Sequence, residues 1–439
     1  MAKKIEVKLK RKKKESDSSP STEDLSRVPE KAKRNAAEDW MVRTNADKKN
    51  SGKVRVVRAC DVHTPYILRR PTGVLGLDLE LGGGFHAGGV IEVRGSESVG
   101  KTLLVFQTAG QTQRLYGDNA RILIACTEIL PDKGLARQAG FCLAYSEDEI
   151  AQYEELRAAE GVPPFSEDEL ADLRYQIGTV GVIVADNGET LLQNIVDALD
   201  FSRDDPDQGW QLIVIESLGA LLSSDAEQKE VGENIRIGGV SGMLTAFQNK
   251  VYPKLIFPRP DGRMQETTLV GINQVRANFD AGMYGPKTRA AAGSHSWKHA
   301  QLVALELSRG ADIRVDRDTV IGKAIRWKIA KGKAGTHDGK SGEYNFFHFN
   351  KHDPVFWGDV VNATEVNGID VITDAVETAK KLEVIEASGA WLSWREGKRE
   401  ILRAQGADKF ASLLMDKPEL LEDLKLQCVR ASGIKVRFT

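Results

Sequence analysis

The sequence predicts an α/β fold whose mainly parallel sheet is covered by helices on both faces. Its candidate strands are apolar throughout, as strands buried on both sides are, and they alternate with segments of helical period. A glycine-rich turn joins the first of these strands to the helix after it. In such sheets ligands bind where the strands end. The strands are predicted at residues 90–94, 122–127, 181–184, 211–215 and 269–274.

The glycine-rich turn has the Gly-x4-Gly-Lys-Thr spacing of a phosphate-binding loop. Its glycines let the backbone turn tightly and leave N–H groups free to point at phosphate oxygens. The helix after it adds the positive end of its dipole, Lys101 supplies a charge for the β- and γ-phosphates, and the Thr102 hydroxyl is a Mg2+ ligand. A chance match is the alternative, which the flanking strand and helix disfavour. The predicted nucleotide-binding residues are Gly95, Ser96, Glu97, Ser98, Val99, Gly100, Lys101, Thr102 and Leu103.

Length and composition favour a cytosolic, reduced protein with two or three domains. The 439 residues are 41% hydrophobic and 28% charged, which is ordinary for a soluble globular protein. We expect no membrane association, because no apolar run approaches the roughly 20 residues that span a bilayer and the N-terminus has no apolar core of a secretory signal. The cysteines are scattered without metal-ligand spacing: Cys60, Cys126, Cys142 and Cys428.

Charge and composition divide the chain. Residues 1–50 carry the basic run Lys10-Arg-Lys-Lys-Lys14 and few apolar residues, so we expect a largely disordered tail with a short helix at 30–40. The tail is either a solvated segment or an arm that contacts nucleic acid or another subunit. The core is predicted at 51–360. A small C-terminal domain is predicted at 361–439, mainly helical with Trp391 and Trp394 in a hairpin.

An acidic segment interrupts the core. Residues 146–176 hold ten acidic residues against two arginines and a Pro163-Pro164 break. This pattern predicts two short amphipathic helices in a surface insertion. Its acidity could restrain the access of duplex DNA or could bind a partner.

Polar side chains follow the apolar strands. Glu216 ends the strand at 211–215, which is the expected place for a carboxylate that holds Mg2+ through water, although an ordinary strand end is the alternative. Glu128 and Gln274 follow two other strands, so we expect all three beside Lys101 at one edge of the sheet.

Two glycine-rich stretches, 225–242 and 276–299, are predicted loops. The second is basic and carries three aromatic residues, among them Trp297, which suits contact with a phosphate backbone and with bases. A long mobile surface loop is the equal alternative for both. After residue 303 the pattern predicts short strands at 325–330 and 344–350.

Over residues 71–426 these motifs together resemble the RecA family of recombinases. The phosphate loop, Cys126-Thr-Glu128 with Asp132 and Ala136-Arg137, and Leu212-Ile-Val-Ile-Glu216 resemble the family's nucleotide-site motifs. Ile272-Asn-Gln-Val-Arg276 and Gly293-Ser-His-Ser-Trp-Lys-His-Ala resemble the entry and exit of its second DNA-binding loop, and Ser388-Gly-Ala-Trp-Leu-Ser-Trp its bacterial C-terminal domain. The resemblance implies a RecA-like core.

The resemblance also implies roles. Glu128 would activate the attacking water, Gln274 would sense the γ-phosphate, and Asp132 would contact adenine. Lys331 and Lys333 match a lysine pair that reaches the neighbouring subunit's ATP. The residues implied in DNA binding are Arg236, Ile237, Gly238, Gly239, Arg276, Asn278, Lys287, Arg289, Gly293, Ser294, Lys298 and His299.

Some positions depart from the family. Glu216 stands where the family usually has Asp, which can shift the Mg2+ geometry by a methylene. Leu135 stands where bacterial members stack an aromatic ring on adenine, and His299 where they have Phe, as in archaeal and eukaryotic recombinases. The insertion and the basic tail have no counterpart in the family core. Such divergence fits a bacteriophage or plasmid homologue.

The function that follows is a DNA-dependent ATPase and recombinase using ATP and Mg2+. It would assemble as a helical filament of its own subunits on single-stranded DNA, pair that strand with a homologous duplex and exchange strands. One alternative is a nucleotide- and DNA-binding mediator that does not exchange strands. A hexameric helicase is a third hypothesis, disfavoured because such enzymes lack the C-terminal domain.

Overall fold

The protein is described from a computed structural model that covers residues 36–47, 56, 58, 60, 68–127, 130–224, 239–256, 264–277, 288–290, 295–314, 317–318, 320–347 and 368–434. The chain divides into two compact units, Met1–Val62 and His63–Thr439. The first contains helix α1 (Ala36–Ala46), which overlaps the helix predicted at 30–40 only in its second half. The tail predicted to be disordered, apart from this helix and its neighbour residue 47, lies outside the described residues.

The second unit holds the predicted alternation of strands and helices. Its first half comprises β1 (Arg69–Arg70), α2 (Leu75–Glu80), β2 (Phe85–His86), β3 (Val90–Gly95), α3 (Lys101–Tyr116), β4 (Arg121–Cys126), α4 (Lys133–Gln138), α5 (Glu147–Ala159), α6 (Glu167–Arg174), β5 (Thr179–Val184), α7 (Gly188–Asp204) and β6 (Leu212–Glu216). Its second half comprises α8 (Gly239–Ile256), β7 (Thr268–Ala277), β8 (Thr288–Ala290), α9 (His295–Ala300), β9 (Gln301–Arg314), β10 (Val320–Gly332), β11 (Ser341–Phe347), β12 (Gly368–Ile369), α10 (Val371–Lys381), β13 (Ile385–Ser388), β14 (Trp391–Glu396), β15 (Arg399–Gln405), α11 (Ala407–Met415) and α12 (Pro418–Ala431).

One ten-stranded sheet organises this unit. Its order is β12-β11-β10-β9-β3-β7-β6-β4-β5, with β8 paired to β7 outside that path. The strands from β9 through β3 to β5 run parallel, whereas β9, β10, β11 and β12 pair antiparallel. The α/β fold class with a mainly parallel sheet is confirmed.

Burial on both faces explains why the central strands are apolar throughout. Alternate residues of β4 enter different cores: Ile122 and Ile124 pack on one face, Leu123 and Ala125 on the other. Helix α3 covers the first face, and α7 and α8 cover the second. Because both faces of β4 exclude water, its residues from Ile122 to Cys126 are apolar at both sets of alternating positions.

The antiparallel strands are longer than predicted. The strand expected at 325–330 is part of β10, which runs over 13 residues, and its partner β9 runs over 14. The second half of β9 is largely exposed, so it lacks the apolar pattern by which a buried strand is recognised.

The C-terminal elements form a three-stranded antiparallel sheet, β13-β14-β15, with helices α10, α11 and α12. They share a separate hydrophobic core around Trp394, Phe410 and Leu424. Trp394 is fully buried and its indole N–H donates to Gln427 Oε1 over 2.9 Å. The predicted hairpin of Trp391 and Trp394 is therefore present as β14 with its neighbours. The boundary predicted at 361 falls outside the described residues and stays a prediction.

The acidic segment forms two helices, α5 and α6, as predicted. Each begins with a capping box, in which a serine and the glutamate three residues later satisfy each other's backbone N–H: Ser146 with Glu149, and Ser166 with Glu169. A small core of their own includes Ile150, Phe165 and Leu173. Within the described residues, no helix combines the length and apolar character that crossing a membrane requires.

Candidate functional site

The phosphate-loop motif occupies the turn between β3 and α3. A side chain at Gly95 would place its Cβ 2.5 Å from the Leu307 carbonyl oxygen, so only glycine fits against β9. Gly100 precedes the first residue of α3 with a φ of 84°, in the left-handed region that glycine adopts without strain. A Cβ at Gly100 would meet nothing within 4 Å. Backbone conformation, not space, therefore requires this glycine.

Lys101 is nearly buried, and its Nζ donates to the Ser96 carbonyl oxygen over 2.6 Å. The ammonium thus lies over the loop, where phosphate oxygens would take the place of that carbonyl. A cavity of about 240 Å³ adjoins this position. Its lining residues are Ser98, Val99, Gly100, Lys101, Thr102, Leu103, Leu135 and Phe346.

The side chains of Thr102 and Glu216 bring three oxygen atoms together. The Thr102 hydroxyl lies 3.3 Å from each carboxylate oxygen of Glu216. Within the described residues, no group of three or more His, Cys, Asp or Glu side chains could hold a metal. A hydroxyl and one carboxylate fit Mg2+, which usually takes one or two carboxylates and completes its shell with water and phosphate.

Strand register brings the predicted polar residues to the same edge. Gln274 is the cross-strand partner of Gly95, and Glu216 that of Cys126. Thr127, the next residue, is bound to the β6 side: its N–H donates to Glu216 O and its hydroxyl to Ser217 O, both over 2.7 Å. Glu128 follows at once in the chain but lies outside the described residues.

Asp132 caps helix α4, since its Oδ1 accepts the Leu135 N–H over 2.9 Å. Leu135 and Phe346 both line the cavity by the phosphate loop. Asp132 is thus tied to a residue of the cavity wall.

Lys331 and Lys333 meet at the end of helix α9. Lys331 Nζ donates to the carbonyls of Lys298 and His299, and Lys333 Nζ to that of His299 over 2.9 Å. The last carbonyls of a helix lack partners within it, so cations there satisfy them. Burial, followed by the nearby Lys333, lowers the pKa of Lys331.

Few of the predicted DNA-binding residues fall in described loops. Arg236, Ile237, Gly238, Asn278, Lys287, Gly293 and Ser294 lie outside the described residues. Strands β7 and β8 pair antiparallel, with Arg276 opposite Arg289. Lys298 and His299 are exposed at the end of α9.

Several expectations about the two loops were wrong, since Arg276 and Arg289 lie in strands β7 and β8. Gly239 is the first residue of α8, not part of a loop, and Lys298 and His299 belong to helix α9. Trp297 is fully buried, where the second core closes over Gly271. It is therefore unavailable for contact with bases. A six-residue helix offers too few turns for a helical period to be recognised.

A second lysine at the phosphate loop was not predicted. Lys323 of β10 is buried; its Nζ donates to the Ser98 carbonyl oxygen and lies 5.3 Å from the centre of the Phe346 ring. Ser98 has a φ of 55°, which is uncommon for a residue other than glycine. Burial, then Arg309, lowers the pKa of Lys323. The contact spans 225 positions, and no local pattern predicts it.

A buried polar pair supports the strand beside the loop. Glu92 is almost fully buried in β3, and its Oε1 accepts from Asn273 Nδ2 of β7 over 2.7 Å. Arg94 lies 3.6 Å from Glu92 and 3.0 Å from Glu306. Asn273 immediately precedes Gln274, so this pair fixes the strand that carries Gln274.

Comparison with known proteins agrees with this geometry. The chain is similar to proteins named RecA over most of its length. It is 27% identical to a RecA of Thermus thermophilus over 406 residues, covering 92% of this chain and 96% of that protein. It is 28% identical to RecA of Thermus aquaticus over 380 residues (86% and 89%), and 25% identical to RecA of Ruminococcus albus over 390 (88% and 78%). This chain is a distant relative of the RecA proteins.

No protein-family model matches the chain. The relationship supports a RecA-like core with the small C-terminal antiparallel sheet described above. A bacteriophage or plasmid origin stays a prediction.

Proposed function

We propose that this protein is a DNA-dependent ATPase of the recombinase class. The observation that carries the proposal is the Thr102–Glu216 pair at the start of α3, beside a phosphate loop whose Gly95 pairs with Gln274. Phosphate cradle, metal ligands and a polar sensor thus share one edge of the sheet. The RecA relatives support a function of this kind.

The substrate proposed for the loop is ATP. Lys101 would leave the Ser96 carbonyl for the β- and γ-phosphates, and the N–H groups at the start of α3 would face the same oxygens. Asp132 would contact the adenine. Thr102 and Glu216 would hold Mg2+, which neutralises charge that develops on the phosphates.

The hydrolytic roles fall to side chains around this loop. Glu128 would orient and deprotonate the attacking water, as a carboxylate within hydrogen-bond reach does. Gln274 would sense the γ-phosphate from the end of β7. Lys331 and Lys333 would reach the ATP of the neighbouring subunit, and in doing so they would leave the end of α9.

The partners proposed are single-stranded DNA, a homologous duplex and further copies of this chain in a filament. Strands β7 and β8 pair with Arg276 and Arg289 at one register position, so two of the residues implied in DNA binding lie on neighbouring strands. Lys298 and His299 follow at the exposed end of α9. Strand exchange is the activity that these partners imply, in a cytoplasmic protein.

The test is steady-state ATP hydrolysis with and without single-stranded DNA over a salt series. We expect strong stimulation that fades with salt, because contacts to phosphates release counterions. Lys101→Ala and Glu128→Gln should each lower DNA-stimulated turnover by about a hundredfold or more. Unchanged turnover in both variants would refute the catalytic assignment. Nucleotide binding without stimulated turnover would place the protein with the mediators instead, and Glu216→Asp would then show whether the longer side chain is the reason.

A further inference from the structure

The two-helix insertion is attached at its base to helix α3, which begins at the phosphate loop. Gln113 of α3 is buried, and its side chain holds both ends of the insertion. Its Nε2 donates to Cys142 O over 2.9 Å and to Ile177 O over 2.8 Å, and its Oε1 accepts the Cys142 N–H over 2.7 Å. The helix that begins at the phosphate loop therefore fixes where the insertion enters and leaves.

Two cationic side chains of helix α4 also form ion pairs with the insertion. Lys133 Nζ lies 2.5 Å from Glu149 Oε2 of α5. Arg137 lies 2.5 Å from Asp172 Oδ2 of α6 and also donates to the carbonyls of Asp172, Leu143 and Tyr175 over 3.0, 2.8 and 3.3 Å. The Tyr145 ring lies beneath both cations, with its centre 5.7 Å from Lys133 Nζ and 6.0 Å from Arg137 Cζ.

These contacts lie on the face of α4 that points away from the nucleotide cavity. Lys133 and Arg137 are four residues apart and share one side of the helix. Leu135, which lines the cavity, is two residues from each, or about 200° around the axis. Asp132 is the N-cap of the same helix, and its side chain accepts the Leu135 N–H. The insertion thus contacts one side of α4, and the opposite side of the same helix forms the cavity wall.

We propose that the insertion is a clamp that holds α4 against α3, and that Lys133 and Arg137 are positioning residues for the base side of the nucleotide site. The proposal rests on the function proposed above and assigns a role to the acidic segment: Glu149 and Asp172 supply the partners of α4. Lys133 is the first residue of α4, where the helix dipole disfavours a cation, and Glu149 offsets that cost. The clamp acts on the adenine contacts and leaves the phosphate contacts of the loop unchanged.

Full-length protein carrying Lys133→Met with Arg137→Gln tests the clamp. Isothermal titration would give the affinity for ADP, for ATP and for inorganic triphosphate, which has no base. We expect ADP and ATP to bind about fivefold to twentyfold more weakly, and triphosphate to change by less than about twofold, as loss of two partly exposed ion pairs would give. Arg174→Gln is the matched control, because it removes the Arg174–Glu147 pair inside the insertion without touching α4. It should leave all three affinities unchanged.

A second variant keeps the proposal testable if the double variant misfolds. Asp172→Asn alters one exposed carboxylate outside α3 and α4, and should weaken ADP binding about twofold to fourfold. The variant that combines Asp172→Asn with Arg137→Gln should lose less ADP affinity than the two single variants lose together, because the two residues form one interaction. Wild-type affinity for ADP in these variants overturns the clamp and leaves the ATPase proposal standing. Equal weakening for triphosphate also overturns the clamp, since the effect would not be on the base side. Absence of ADP and ATP binding by the wild-type protein would refute both proposals.

Discussion

At the scale of single residues, the phosphate loop is held by two lysines that come from distant parts of the chain. Lys101 belongs to the motif, and its Nζ donates to Ser96 O. Lys323 belongs to β10 and donates to Ser98 O, which fixes a residue with positive φ. A left-handed conformation costs about 1–2 kcal/mol at a residue other than glycine, so the loop benefits from an added hydrogen bond at that point.

Replacing Lys323 by methionine should loosen the loop while keeping the volume of the side chain. Because Ser98 O loses its donor, we expect nucleotide to bind about threefold to tenfold more weakly, as the net contribution of one hydrogen bond, roughly 0.5–1.5 kcal/mol, predicts. Fluorescence titration with ADP measures this change.

Lys328→Met is the control, since Lys328 lies on the same strand but is exposed. Equal ADP affinity in the wild-type protein and Lys323→Met would show that the Lys323 contact does not support the loop. An unfolding temperature within a few degrees of wild type would confirm that any loss of affinity is local.

The two lysines also mark how far the sequence predicted the site. Lys101, Thr102 and the strand-end residues Glu216 and Gln274 were predictable, because motif spacing and strand ends are local signals. Lys323 and the wall residue Phe346 were not, since they reach the loop only through the pairing of β9, β10 and β11. No pattern near Lys323 in the chain indicates that pairing.

At the scale of elements, the seam between α2 and α10 holds two buried carboxyl groups. Asp374 of α10 accepts the Gly76 N–H over 3.1 Å. Asp78 of α2 accepts from the N–H groups of Thr72 and Gly73 and from the Thr72 hydroxyl. Burial raises the pKa of Asp374 to about 6 and that of Asp78 to about 7. Asp374 thus joins the C-terminal elements to α2 at a cost that depends on pH, whereas Asp78 holds the turn before α2.

The sign of this dependence follows from the raised pKa. Below the ordinary pKa of 3.8 the Asp374 carboxyl is neutral in the folded and the unfolded chain, so it has no effect on stability. Above about pH 6 the folded carboxyl is ionised as well and its effect on stability no longer changes, whereas between pH 3.8 and about 6 only the unfolded chain ionises. The free energy of unfolding should therefore fall over this range because of Asp374.

Asp374→Asn tests that sign, because the amide oxygen can still accept the Gly76 N–H but never ionises. We expect the variant to gain about 1–3 kcal/mol relative to wild type between pH 5 and pH 8. Denaturant unfolding at both pH values measures the difference. The exposed Asp423→Asn in α12 is the control, and its profile should run parallel to that of wild type. A parallel profile for Asp374→Asn as well would contradict the raised pKa.

Elements were predicted well where burial imposes an apolar pattern over many residues. They were predicted poorly where a single long-range contact determines whether a short helix forms. The central strands follow from apolar patterns, and α5 and α6 from the amphipathic pattern on either side of the Pro163-Pro164 break. Helix α9 does not, because it is short and forms where Trp297 fills the space above Gly271. A Cβ at Gly271 would lie 2.9 Å from Trp297 Cζ2, a contact between residues 26 positions apart that only the folded chain reveals.

At the scale of the whole molecule, charge is divided between segments with different roles. The net charge is only −2, yet residues 1–35 hold 12 basic and six acidic residues, whereas the insertion is strongly acidic. In the insertion, part of the negative charge pairs with Lys133 and Arg137 of α4. The basic segment precedes helix α1, so its charge can be changed without altering a described element.

The basic run at residues 10–14 should contribute to binding of single-stranded DNA through phosphates. Each contact to a single strand adds about 0.7 to the slope of log affinity against log salt, so replacing all five basic residues by glutamine should reduce that slope by up to about 3.5. Fluorescence anisotropy with an oligonucleotide between low and physiological salt measures the slope. Replacing the five uncharged residues 18–22 by glutamine is the control, since it alters the same number of positions in the tail and changes no charge. The substitution of the basic run should weaken binding most at low salt, where counterion release contributes most.

An unchanged slope would show that the tail is a solvated segment or contacts another subunit, and DNA binding would then depend on the β7–β8 hairpin and the end of α9.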